Sequence, residues 1–290
     1  MTRIPRPFLA AVHLVVTALV GALLSVSLSS PAKADAAPLA SAPEARVALP
    51  SARRPPSPNR VLKHNPIYRV KALKDRACIR HAVPLDTAAH VTEYYTVLKG
   101  CLDKAWRKKV KKAGLRWRKP AMVVWSQAVS TPCGPGEIYV STYCPVNRTM
   151  YLNVEEVLAW ARDPARDGLG GRLGWLRAAF VLSHEYGHHI QTQMGVWKAI
   201  ARKVSTGRTT WAASTPATEL QASCLALVFL HSIRATYPIE DAVLADWRWR
   251  LIRLASHGTD ANQMFWMDRG FATGRPKACN VFKAPAGLRA

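Results

Sequence analysis

The run His184-Glu185-Tyr186-Gly187-His188 most constrains what this chain can fold into, because it lies inside a stretch whose apolar residues recur at helical spacing. Trp175, Ala178, Ala179, Leu182 and Tyr186 mark that period over residues 173–194, and Gly195 stands where the helix would stop. Histidines four apart on a helix project the same way, so both imidazoles can reach one tetrahedral Zn²⁺, with Glu185 beside them to accept a proton from an attacking water. Nine His and eight Glu in random order over 290 residues would give H-E-x-x-H about 0.008 times per chain, so coincidence is a weak competitor. Two histidines leave the metal under-coordinated, and a catalytic site takes three protein ligands plus water.

The best source of the third is a helix read as starting at Pro216, capped by Ser214 or Thr215, with Leu220, Cys224, Leu227, Val228 and Leu230 on its buried side. Glu219 falls in its first turn, and the 31 residues after His188 are enough to bring this helix antiparallel against the first. Spacing alone rates Glu219 evenly as a ligand and as a first-turn acid that complements the helix dipole. His189 is rotated about 100° from His188 and reads as packed, His231 reads as structural, and His257 is a candidate donor to a developing oxyanion.

The N-terminus has the order of an export signal: Arg3 and Arg6, an apolar run from Phe8 to about Leu28, then Ala32-Lys33-Ala34 before Asp35. Residues 1–34 are read as a signal peptide, with an uncleaved anchor as the alternative. Residues 35–66 are rich in Ala, Pro, Ser and Arg without an apolar period and are expected to be a disordered linker. The folded domain is placed at residues 67–290. Six cysteines behind an export signal argue for disulfides, and no C-x-x-C pair offers a thiolate metal site. Six cysteines allow 15 pairings; Cys133 and Cys144, which bracket a short Gly- and Pro-containing segment, form the first pair to expect.

Within the folded part, residues 88–112 carry a helical apolar stripe through Val91, Tyr94, Tyr95, Leu98, Leu102 and Ala105. Residues 121–128 and 149–153 read as strands, residues 155–162 as a short helix and residues 168–174 as a flexible lead, an α+β pattern. The formal charge is +23, and loss of Arg3, Arg6 and Lys33 with a leader leaves 38 basic residues against 18 acids. Arg107, Lys108, Lys111, Lys112, Arg116 and Lys119, with Trp106 and Trp117 between them, raise the question of nucleic acid or another anionic polymer. A solvated face at a helix C-terminus explains the same run with less, and nucleic acid ranks low as a partner.

The chain resembles the neutral zinc metallopeptidase family. The resemblance rests on FVLSHEYGHHIQ ending at Gln191, ELQASC from Glu219 to Cys224, SHGT from Ser256 to Thr259, then Arg269-Gly270-Phe271 and the CNVF that ends at Phe282. The segment from Cys133 through Tyr143-Cys144-Pro145 to Tyr151-Leu152-Asn153 keeps that family's order of motifs, and coverage runs from about Glu93 to Phe282. The resemblance implies a zincin-like α+β domain, with a small sheet packed on the H-E-x-x-H helix, a following ligand helix and stabilising disulfides. It implies zinc on His184, His188 and Glu219, Glu185 as catalytic base, and disulfides Cys224 to Cys279 and Cys78 to Cys101. Where the family usually has Asp, this chain has Ser223, which removes a carboxylate that would orient a ligand histidine. The expectation is an exported zinc endopeptidase acting on protein or peptide substrates, in which the strand 149–153 holds the substrate as an added strand. The alternative is a catalytically weak zinc-bearing module that binds an anionic cell-envelope polymer.

Overall fold

The structure, a computed structural model, describes residues 55–75, 78, 84–162, 170–237 and 255–290. The expected signal, most of the expected linker and the start of the expected lead at 168–174 lie outside these residues. Helix α1 (Pro58–Lys63) begins the described fold: Ser57 Oγ accepts from Arg60 N at 3.3 Å, Pro58 takes the first helical position, and Leu62 is buried. The domain boundary expected near Ile67 is therefore too late. A six-residue helix is too short to show a period, and a Pro that opens a helix reads as linker composition when only composition is used.

Helix α2 (Ala88–Lys112) is capped by Thr87, whose Oγ1 accepts from His90 N at 3.2 Å, and it buries Val91, Tyr94, Tyr95, Leu98 and Leu102. Trp106 is on that buried side, and Trp117 packs edge-on against His189 at 5.7 Å. Neither ring is an open stacking platform, which removes the aromatic half of the case for nucleic acid at this run.

Five short strands follow. β1 (Ala121–Trp125) pairs parallel with β5 (Thr149–Asn153), and β4 (Thr142–Cys144) pairs antiparallel with the other side of β5, giving the order β1-β5-β4. β2 (Val129–Ser130) and β3 (Glu137–Ile138) form a separate antiparallel pair. β5 is buried along its whole length because it is the central strand. The strand expected over residues 121–128 ends at Trp125.

Helix α3 (Val154–Ala161) is capped by Asn153, whose Oδ1 accepts from Glu155 N at 2.9 Å. Helix α4 (Gly170–Met194) absorbs the described part of the expected lead, and Gly195 follows it at φ +80°, a left-handed conformation that favours glycine. From Ala178 to Ile190 every residue of α4 is buried, so it is a core helix rather than an amphipathic surface one, and the sheet packs on it through β4 and β5. Helix α5 (Val196–Val204) rests on α1.

Helix α6 (Trp211–Ile233) begins five residues before its expected start. Thr210 is the cap, accepting from Ala213 N at 3.1 Å, and Pro216 lies inside the helix. Ser214 and Thr215 do not cap it; their hydroxyls donate back to Thr210 O and Trp211 O at 2.9 and 3.0 Å. Pro216 removes one N–H near the helix start, where the surrounding hydroxyl bonds keep the early carbonyls engaged. Helix α7 (Asp260–Thr273), capped by Thr259, packs on α6, which in turn packs on α4. The result is the mixed helix and small-sheet architecture expected.

Three disulfides join Cys78 to Cys101, Cys133 to Cys144 and Cys224 to Cys279, the pairings expected. The last pins the middle of α6 to the C-terminal segment. Among the described residues no helix is long and apolar enough to cross a membrane.

Candidate metal centre

Helices α4 and α6 touch backbone to backbone beside the histidines. A Cβ added to Gly187 would lie 2.6 Å from Ala222 O and 2.9 Å from its Cα, so only glycine permits this approach. The contact brings Glu219 of α6 across to the α4 pair. Glu219 Oε2 is 3.1 Å from His184 Nε2 and 3.1 Å from His188 Nε2, and the two Nε2 atoms are 3.1 Å apart. One ligand atom from each of the three residues lies within 4.8 Å of the others, the one such group among the described residues. Because α6 starts at Trp211, Glu219 is in its third turn and not its first. The dipole-complementing alternative therefore loses its basis, since that effect fades beyond the first turn.

The outer nitrogens of both histidines are held. His188 Nδ1 is 2.9 Å from Gln191 Oε1, an atom that can only accept, so Nδ1 carries the proton and Nε2 presents its lone pair to the centre. Gln191 is itself oriented by donating through Nε2 to Thr218 O at 2.7 Å and to Gln221 Oε1 at 3.2 Å. His184 Nδ1 meets Ser223 Oγ at 3.1 Å, so Ser223 occupies the position from which the expected carboxylate would act. Its hydroxyl gives the orientation without the charge.

His257, on the turn before α7, brings its Nε2 to 3.1 Å from Glu219 Oε2 and stacks on His184 with ring centroids 5.3 Å apart. Glu185 faces the same cavity of about 480 Å³, whose apolar wall includes Trp160, Phe180, Val181 and Met267. Residues 140–142 overhang the cavity, held by Ser141 N donating to Glu156 Oε1 at 3.0 Å and Asn153 Nδ2 donating to Tyr139 O at 2.9 Å.

Burial pushes the Glu185 carboxyl up to about 8, against the smaller pull of His188. Burial pushes His188 down, but the Glu219 carboxylate outweighs it and holds the imidazole at about 9. Burial likewise pushes Glu219 up, and the attraction of His188 and His184 takes it well below the usual carboxylate range. Burial lowers His184, and it lowers His257 to about 4. Two imidazole Nε2 atoms and a carboxylate oxygen converging in a buried pocket attract a cation, which would displace any proton held among them. Two imidazole nitrogens and one carboxylate are the donor chemistry of catalytic zinc, with a fourth position left for a small ligand, so the residues present fit the metal.

His189 points away, donating Nε2–H to Arg118 O at 2.8 Å and accepting at Nδ1 from Tyr143 OH at 3.1 Å, and His231 bonds Phe271 O. Both are packed, as expected. β5 differs from expectation: both of its edges are occupied, by β1 and β4, so it has no edge for a substrate. The sheet edge over the cavity belongs to β4. Spacing assigns no role to Gly187, Gln191 or Gln221, although a glycine within a helical stretch is itself a signal of close approach.

Residues 75–245 match the family described as "Putative neutral zinc metallopeptidase". "Uncharacterized protein YpfJ" of Escherichia coli (strain K12) is 28% identical over 217 residues, 68% of this chain and 72% of its own length. "Uncharacterized protein Rv2575" of Mycobacterium tuberculosis (strain ATCC 25618 / H37Rv) is 29% identical over 196 residues, 58% of this chain and 64% of its own. No solved structure matches the chain.

Proposed function

Because the chain belongs to the neutral zinc metallopeptidase family, we propose that it is a zinc-dependent endopeptidase of zincin-like architecture. The observation that carries this reading is the buried Glu185 carboxylate on the cavity wall beside the convergent donors of His184, His188 and Glu219. When bound there, zinc supplies a Lewis acid that polarises the scissile carbonyl and acidifies water. Glu185 takes the proton of the attacking water on a carboxylate oxygen and delivers it to the amide nitrogen as the C–N bond breaks. His257 directs an N–H at the carbonyl oxygen as it becomes an oxyanion. The extended substrate adds to the free edge of β4, which leaves its side chains to meet the apolar wall of Phe180, Val181 and Met267.

Three disulfides support a place outside the cytoplasm, consistent with the export signal read at residues 1–34. Ser223 favours a second reading, in which zinc is held and turnover is weak, because a hydroxyl supports His184 less strongly than a carboxylate.

Purified protein with disulfides intact is assayed for zinc per chain and for cleavage of an unfolded protein, with and without a chelator, as wild type and as Glu185→Gln. The peptidase reading expects one zinc, chelator-sensitive cleavage, and a variant that keeps zinc and loses turnover. Full hydrolysis by Glu185→Gln would refute the assigned base, and zinc without cleavage across a broad substrate panel would favour the second reading.

A further inference from the structure

A second cavity, of about 670 Å³, lies on the other flank of α7. Gln263 and Met267 line the metal cavity, whereas Phe265, Trp266 and Arg269 line this one, and the two share no lining residue. Residues 265 and 269 stand about 200° around the helix from 263 and 267, which separates the two sites physically. Six cations surround the second cavity, Arg60, Lys63, Arg69, Arg269, Lys277 and Lys283, and no carboxylate lines it. All six are exposed, and among the described residues none of them pairs with an acid.

These charges come from three separate segments of the chain, and the fold holds those segments together without neutralising them. Asn280 Nδ2 donates to Lys63 O at 3.0 Å, Tyr68 OH to Leu62 O at 3.1 Å, and Gln221 Nε2 to Tyr68 OH at 2.8 Å and Cys279 O at 2.9 Å. Assembling like charges costs free energy that packing does not return, and an anionic ligand relieves that cost. A single small anion would leave most of the six cations unmatched, so a chain of anions fits better. The Phe265 ring, 39% exposed and with Arg269 Cζ 5.9 Å from its centroid, sets an aromatic surface beside a cation, where a base can stack. A carboxylate or polyol-phosphate polymer would use the charge and leave the ring idle, so the ring favours a single-stranded nucleic acid.

We propose that this cavity binds a single-stranded nucleic acid, at a site separate from the candidate metal centre. A polyol-phosphate polymer, which has the charge and no base to stack, is an outcome of the test that would overturn it. The test uses the full protein and three labelled probes of equal charge: a single-stranded oligonucleotide of about a dozen residues, poly(glycerol phosphate) and polyglutamate. Binding is followed by anisotropy over a salt series.

The proposal expects single-stranded oligonucleotides to bind at least tenfold more tightly than polyglutamate or poly(glycerol phosphate). It expects Arg60→Ala/Lys277→Ala/Lys283→Ala to weaken oligonucleotide binding on the order of 30-fold and to flatten the log–log salt slope by about 2, at roughly 0.7 for each lost contact. Lys108→Ala/Lys111→Ala/Lys112→Ala, on the basic end of α2, should change binding less than twofold. Phe265→Ala should weaken the oligonucleotide about tenfold and leave poly(glycerol phosphate) unchanged, and an oligonucleotide affinity untouched by Phe265→Ala would overturn the assignment of a nucleic acid. Equal binding of polyglutamate or poly(glycerol phosphate), or an equal loss in the α2 variant, would overturn the proposal. Glu185→Gln should bind like wild type, so this result is independent of the peptidase reading.

Discussion

Replacing Gly187 by Ala tests the helix contact on which the metal centre depends. The added Cβ would sit 2.6 Å from Ala222 O, 2.9 Å from Ala222 Cα and 3.1 Å from its carbonyl carbon. These are backbone atoms that no rotamer change can move. Ordinary contact begins at 3.4 Å, so α4 and α6 must part by about 0.8 Å at this point. Zinc ligand distances tolerate about 0.2 Å, and His184 and His188 lie on one helix while Glu219 lies on the other. Overpacking costs about 1–3 kcal/mol, and the better helix propensity of Ala returns about 1 kcal/mol. The expected net loss is about 0–2 kcal/mol in urea unfolding of the chelated protein, with zinc affinity down on the order of 100-fold in a competition titration. Gly100→Ala in α2 is the control, because nothing lies within 4 Å of its added Cβ; it should stabilise by about 0.5–1 kcal/mol. If Gly187→Ala matched Gly100→Ala in sign and kept its zinc, the close approach of α4 and α6 would be refuted.

Three further outcomes follow from the same geometry. Ser223→Asp places a carboxylate against His184 Nδ1, now 3.1 Å from the hydroxyl, and should raise zinc affinity about 10-fold by competition titration. His257→Ala should lower kcat by about 100-fold with zinc content unchanged; a loss of zinc instead would make His257 a ligand. Replacing Cys224 and Cys279 by Ser opens a closure of 55 residues and should cost about 4 kcal/mol, against about 3 kcal/mol for the 11-residue closure of Cys133 and Cys144, both read from urea unfolding.

Features governed by local spacing were legible in the sequence. The helical period ran over residues 88–112, the bounds of α2, and the strand 149–153 matches β5, because a period of 3.6 or 2 is written into neighbouring residues. The H-E-x-x-H run placed His184, Glu185 and His188 on one helix for the same reason, and the family resemblance that named Glu219 and the pairings of Cys224 and Cys78 is matched over residues 75–245. Local signals that competed were misread: Thr210, Ser214 and Thr215 are all good caps, and the first turn of α6 is exposed over residues 211–213, so no buried side marks the earlier start at Thr210.

By itself the sequence determined that His184 and His188 share one face of a helix with Glu185 beside them, and only through a family resemblance did it point to Glu219. Only the tertiary structure decided that Gly187 admits α6 close enough for Glu219 to reach them, that β4 and not β5 overhangs the cavity, and that six cations from three segments share a second one. Those outcomes depend on distances between residues far apart along the chain. Such distances come from how whole helix and sheet faces pack, which no spacing within one segment encodes.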